Sequence, residues 1–305
     1  MRLWRARGWF LFLTRAGAWL QVYRRAAPSA PWALSQTLAP PMAGAAPVSL
    51  CWAPREASDG ADCLAAVGAD GSVTVYASQA RGGAVSLAAV LRDRQAAVAA
   101  FAPHGGVLGM ALAVGARDGG VLVYTAESGE AGDWLLQAEL EGAAPGGGPA
   151  AALAWSAGTA RAPALIVGGA GGATVWALCV ALNRWNAVAN LQCGGGGATA
   201  VAWAENIRRR SAETLAVASA DGVRVYEVEG AVAAAALDAG EVEACDAPHL
   251  GAPVLLAPTA EAASSLEFDA LGAQLAAGLP SGEVRLFAVN ALGEWADYAI
   301  ATGLQ

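Results

Sequence analysis

The chain has 305 residues, of which 56% are hydrophobic and only 7% aromatic, with a net charge of −8 and a pI near 4.8. A field of that sign repels phosphate backbones and argues against nucleic acid as a direct ligand. All 18 basic residues are Arg, which excludes Schiff-base chemistry and Lys-dependent phosphate loops.

Composition supports a soluble, intracellular, acidic protein. The five cysteines, Cys51, Cys63, Cys179, Cys193 and Cys245, form no C-x-x-C pair. Their odd number fits buried free thiols in a reducing compartment better than a disulfide framework.

Met1–Tyr23 opens basic and turns apolar, in the manner of a signal peptide. Arg15 interrupts the apolar run, however, no small-residue cleavage site follows cleanly, and the stretch is too short to span a bilayer. Leu11–Thr14, Arg15–Ala18 and Trp19–Tyr23 superpose residue by residue on Leu64–Val67, Gly68–Gly71 and Ser72–Tyr76. The segment therefore reads as the second and third strands of a repeating unit. Trp32–Leu38 supplies the fourth, and the innermost strand has no clear counterpart. Ala39–Pro47 is a Pro/Ala-rich connector.

From Val48 the unit is complete. Val48–Trp52 ends on an aromatic, Leu64–Val67 is a short apolar run, Asp70-Gly71 marks a tight turn, and Val73–Tyr76 alternates. The turn and strand recur as Asp118-Gly119…Tyr124, Gly171-Gly172…Trp176, Asp221-Gly222…Tyr226 and Ser281-Gly282…Phe287, with a weaker copy at Gly17-Ala18…Tyr23. Aromatic-ended strands precede most copies, at Val98–Phe101, Ala152–Trp155, Thr199–Trp203 and Ser264–Phe268. Fourth strands open on Trp32, Trp134, Trp185 and Trp295, and that of the fifth unit is expected near Pro253–Ala257, inside the Ala-rich acidic insertion Glu229–Glu261. The second turn residues fall at 18, 71, 119, 172, 222 and 282. Four strands in about fifty residues, six times over, is the rhythm of a β-propeller. The expected fold is all-β: one domain over residues 1–305 with blades at about 9–38, 48–91, 96–140, 150–191, 199–257 and 264–301, the first of them incomplete.

Chemistry is sparse. His104 and His249 lie in unrelated loops and belong to no metal-spaced pair. Gly168–Gly172 follows a strand but precedes another strand, so no helix N-terminus is available to receive a phosphate, and the run reads as a β-turn. Ser281 is not in a G-x-S-x-G elbow. Asp70, Asp118 and Asp221 recur at the same turn and read as caps bonding nearby backbone. The Arg208–Arg210 run reads as a solvated loop. No catalytic residue, cofactor-binding residue, cofactor or metal ligand is expected, and hence no enzymatic activity.

Three segments carry a family likeness. They are Phe101-Ala-Pro…Tyr124 with Asp133-Trp-Leu-Leu-Gln-Ala-Glu139; Ala202-Trp-Ala-Glu-Asn-Ile-Arg with Leu215…Tyr226; and Glu283-Val-Arg-Leu-Phe…Asn290-Ala-Leu-Gly-Glu-Trp295. In order and spacing they resemble the Seh-type WD-repeat nucleoporins of the Y-shaped nuclear pore subcomplex, although Gly-His pairs and terminal Trp-Asp pairs are absent. The resemblance implies degenerate WD repeats in an open six-bladed propeller. It also implies a structural scaffold that supports nucleocytoplasmic transport of protein and mRNA at the nuclear envelope. The partners would be an α-solenoid nucleoporin that donates a blade and other subunits of the Y-shaped scaffold, with no direct nucleic acid and no transmembrane segment. The insertion seam would be lined by Trp19, Leu20, Val22, Leu266, Phe268 and Leu275. The alternatives are a COPII-type vesicle coat subunit, or a GATOR/SEA-type nutrient-signalling subunit in the cytoplasm or on lysosomal or vacuolar membranes.

Overall fold

The computed structural model describes residues 3–6, 9–13, 20–24, 30–38, 46–54, 62–79, 83–103, 107–126, 131–156, 162–204, 212–229, 249–250, 253–256 and 261–301. These form six antiparallel meanders and a single turn of 3-10 helix, Val180–Leu182. No helix among the described residues is long and apolar enough to cross a membrane.

The first sheet is β1 (Leu3–Ala6), β2 (Trp9–Leu13), β3 (Leu20–Arg24) and β4 (Ala33–Leu38). The second is β5 (Pro47–Trp52), β6 (Cys63–Gly68), β7 (Val73–Ser78) and β8 (Val85–Leu91), and the third is β9 (Ala96–Phe101), β10 (Ala111–Ala116), β11 (Val121–Ala126) and β12 (Trp134–Leu140). The fourth is β13 (Ala152–Trp155), β14 (Ala164–Gly169), β15 (Gly172–Cys179) and β16 (Arg184–Leu191). The fifth is β17 (Ala200–Trp203), β18 (Ala212–Ser219) and β19 (Gly222–Glu229), with an outer strand in two pieces, β20 (His249–Leu250) and β21 (Val254–Leu256). The sixth is β22 (Ser265–Phe268), β23 (Gln274–Gly278), β24 (Val284–Val289) and β25 (Trp295–Ala301).

One expectation is corrected. The first sheet is not short of a strand, because β1 pairs with β2 from Leu3↔Phe12 to Ala6↔Trp9. The sequence Leu-Trp-Arg-Ala lacks the apolar, aromatic-ended signature of the other first strands, and its arginine makes it look like a signal-peptide head.

The strands group into two compact units. One comprises Met1–Gly105, Gly109–Ala116 and Leu122–Gln137; the other comprises Gly106–Leu108, Arg117–Val121 and Ala138–Gln305. Apart from the ends of β11 and β12, the first unit holds the first three sheets and the second unit the last three.

In both units, middle sheets are apolar on both faces. In the second sheet, Cys51, Cys63, Ala65, Val67, Val73 and Val75 pack with Ala99, Phe101, Leu112, Val114 and Tyr124 of the third. The alternate residues Leu50, Leu64, Ala66, Tyr76 and Val85 pack with Leu20, Val22 and Leu38 of the first. Period-two alternation sends successive side chains to opposite faces, and both faces are covered, so β6 is buried at every residue. The fifth sheet behaves alike. Val201, Trp203, Leu215, Val217 and Tyr226 turn to the fourth sheet, while Ala200, Ala202, Ala216, Ala218, Val223 and Val225 turn to the sixth.

The outer strands share an irregularity. Register slips by one residue opposite the third-strand aromatic in four sheets, leaving Ser35, Ala88, Val188 and Tyr298 as the extra residues. In the fifth sheet the outer strand pairs in two pieces, Val225 with Val254 and Val228 with Leu250. Such bulges bend an outer strand and end its regular ladder.

The two aromatics read from each repeat meet in three sheets. Phe101 lies 6.1 Å from Trp134, Trp155 lies 5.9 Å from Trp185, and Phe268 lies 6.0 Å from Trp295, all tilted or edge-on, the arrangement that ring quadrupoles favour. Trp134 donates its indole N–H to the Ala131 carbonyl at 2.8 Å. The equivalent Trp185 follows the 3-10 turn, and its buried N–H finds no acceptor among the described residues.

Two stability outcomes follow. Trp134→Phe removes a satisfied hydrogen bond, whereas Trp185→Phe removes an unsatisfied buried donor. The second is expected to be the milder by about 1–2 kcal/mol in chemical denaturation. In the first unit, Gln36 donates Nε2 to the Val85 carbonyl at 2.6 Å and accepts from the Val85 N–H at 3.0 Å. Gln36→Leu strands both backbone groups of the buried Val85, and the unfolding midpoint should show a loss of about 1–3 kcal/mol.

Candidate functional site

The chemistry-bearing residues lie where second-to-third-strand turns of the later sheets meet the linkers between sheets. These turns are held by backbone bonds. Ala69 donates to Ala46 and Ala96 to Gly71; Ala144 donates to Gly119, Gly171 to Pro145 and Ala198 to Gly169, all at 2.8–2.9 Å. Gly119 has φ +87°, and a Cβ there would lie 2.6 Å from the Gly148 carbonyl oxygen, so both conformation and contact demand glycine.

Third-strand tyrosines tie the same region from the side. Tyr124 donates to Asp93 Oδ2 at 2.6 Å, and Tyr226 donates to the Gln192 carbonyl. Burial, then the Asp93 carboxylate, push the Tyr124 hydroxyl up from its ordinary range.

The turn aspartates cap, as the sequence suggests. Asp70 Oδ1 accepts from the Ser72 N–H at 3.1 Å and the Ser72 hydroxyl at 2.8 Å, and Asp118 Oδ1 accepts from the Gly120 N–H at 3.0 Å. Asp221 does more. Its Oδ1 accepts from Ser219 at 2.5 Å and from Arg224 Nη1 at 2.9 Å, and its Oδ2 meets Arg224 Nη2 at 2.5 Å. The Arg224 guanidinium first, then the Ser219 hydroxyl, hold this carboxyl well below the usual carboxylate range. Gly194, in the linker entering the fifth sheet, lies against this pair. A Cβ there would sit 1.8 Å from Asp221 Oδ2 and 2.9 Å from Arg224 Nη2.

Sequence reasoning singled out Asp221 but missed its partners. The signals were the Ser-x-Asp spacing at 219–221 and Arg224, the one basic residue of β19, two positions beyond the turn glycine.

This end of the second unit is glycine-rich backbone with paired charges. The Asp221 carboxylate is adjacent to Ser219, but its pairing with Arg224 leaves it too weak a base to take the serine proton. Gly168–Gly172 is a turn between β14 and β15, as read. The Ser281 N–H donates to Glu261 at 3.1 Å. Among the described residues, no three His, Cys, Asp or Glu side chains converge to hold a metal ion. Cys51, Cys63, Cys179 and Cys193 are free thiols; burial pushes Cys51 and Cys63 up to about 12, which keeps them protonated. His104, Cys245, Arg208–Arg210 and Trp19 lie outside the described residues.

The remaining seam residues fall into two separate cores. Leu20 and Val22 are buried beside Leu50 and Leu64 of the second sheet. Leu275 is buried, and Leu266 and Phe268 half-buried, against Ala200, Ala216 and Val225 of the fifth. These side chains therefore pack sheet on sheet within each unit. The sequence shows that a strand is apolar on a given face, but not which neighbour that face meets.

No family model matches the chain, and no curated protein matches it. Among solved structures, 996 chains match, so the architecture is widely shared. One is Sqt1 from Chaetomium thermophilum, at 18% identity and a TM-score of 0.59 over 93% of this chain and 64% of that one. Another is Chaetomium thermophilum Sqt1 bound to the N-terminus of the ribosomal protein L10, at 18% identity and a TM-score of 0.61 over 98% of this chain and 73% of that one. The chain thus spans somewhat under two thirds of the first of these. Likeness at this identity carries the fold alone.

The comparison also corrects the family expectation. The two neighbours named above are Sqt1 rather than a Seh-type nucleoporin, and the segment seen bound to one of them is a ribosomal protein's N-terminus rather than an α-solenoid. The nuclear pore scaffold role is set aside with it, as are the COPII-type coat and GATOR/SEA-type alternatives and the Y-shaped-complex partners. Aromatic-ended strands and Asp-Gly turns, which carried the resemblance, are demands of the sheet repeat and are shared by propellers of many functions.

Two outcomes test the turn region. Gly194→Ala must swing Asp221 away from Arg224; the pair is partly exposed, so a modest loss of about 0.5–1 kcal/mol is expected in thermal unfolding. A carboxyl depressed in the folded state contributes stability that is complete above its unfolded pKa, about 4, and fades as pH falls below it. Asp221→Asn should therefore lose less melting temperature than the parent between pH 5 and pH 2, with the two curves converging at the acid end.

Proposed function

We propose that the six sheets are the blades of one six-bladed WD-type β-propeller, and that the chain is a non-catalytic platform holding an extended terminal segment of a partner protein. The observation that carries this reading is the match, over 98% of the chain, to a structure in which such a segment is bound. The net charge of −8 favours a basic segment, since opposite charge raises the encounter rate and lowers the cost of approach. Turn ends pinned by backbone bonds suit this task, because a rigid surface loses little entropy on binding. The unlinked, protonated thiols suit a reducing compartment.

The test is fluorescence anisotropy of the full chain with a labelled peptide spanning the first twenty or so residues of ribosomal protein L10 from the same source. An acidic peptide of equal length is the control. Saturable binding that weakens as salt rises from 50 to 300 mM, with none for the acidic control, is the expected result. The reading is overturned if neither this peptide nor the basic N-terminal segments of the other ribosomal proteins bind, or if the acidic control binds equally.

A further inference from the structure

We draw no further inference here: the strongest candidate, the side of the sixth sheet that carries Ala276, Val284, Leu286 and Ala288 and has no buried residue, is an unpartnered apolar face, and nothing in the structure shows what covers it.

Discussion

A four-stranded sheet that is apolar on both faces cannot be stable in water by itself, and much of this structure answers that constraint. Cys63, Ala65 and Val67 face one neighbour of the second sheet, while Leu64 and Ala66 face the other. Covering one face would leave the other wet. Within each unit the solution is a middle sheet covered on both faces by its neighbours. Much of the apolar content is alanine, which contributes far less per residue than the roughly 1.5–3 kcal/mol of a buried Leu or Phe. Large side chains are accordingly spent where faces meet, as with Leu275 and Phe287 against the alanines of β17 and β18. Backbone clasps supply what small side chains cannot. Each bond between a turn and a linker fixes one sheet to the next without needing any particular side chain.

How much of this was legible follows from which features have a local cause. Asp-Gly turns are visible because only certain residues tolerate that backbone, and β7, β11 and β19 begin within three residues of the turn glycine. Alternating runs are visible because a strand has period two. The strand β1 was not, since four residues containing Trp and Arg carry no period. The outer-strand slips were not visible either. One extra residue reverses the facing of everything beyond it, so a strand such as β8 reads as a single alternation when it is two, out of phase at Ala88. The seam residues illustrate the general limit. Leu20 and Val22 announce a buried face; that it belongs to the second sheet is a tertiary fact.

The same reasoning explains why the family likeness misled. Two third-strand tyrosines reach the preceding linker, Tyr124 at Asp93 and Tyr226 at Gln192. In three sheets the tryptophan that opens the fourth strand packs on the aromatic that closes the first. These are conditions for the repeat to fold. Conditions of this kind recur in sheet repeats of many functions and do not single out one family.

The outer-strand slip bears on how the protein behaves in concentrated solution. Every sheet ends in an edge, and such edges, when long, straight and uncharged, template fibrils. Val-Ser-Leu-Ala-Ala-Val-Leu in β8 and Trp-Ala-Asp-Tyr-Ala-Ile-Ala in β25 have the composition of fibril-forming segments, with no proline and one charge between them. The extra residue divides β8 at Ala88 and β25 at Tyr298 into pieces of three residues. An incoming straight strand can match only one piece before its hydrogen bonds fall out of step. In a chain without lysine, the broken register of these edges thus opposes edge-to-edge pairing by geometry, where other sheet proteins rely on charge.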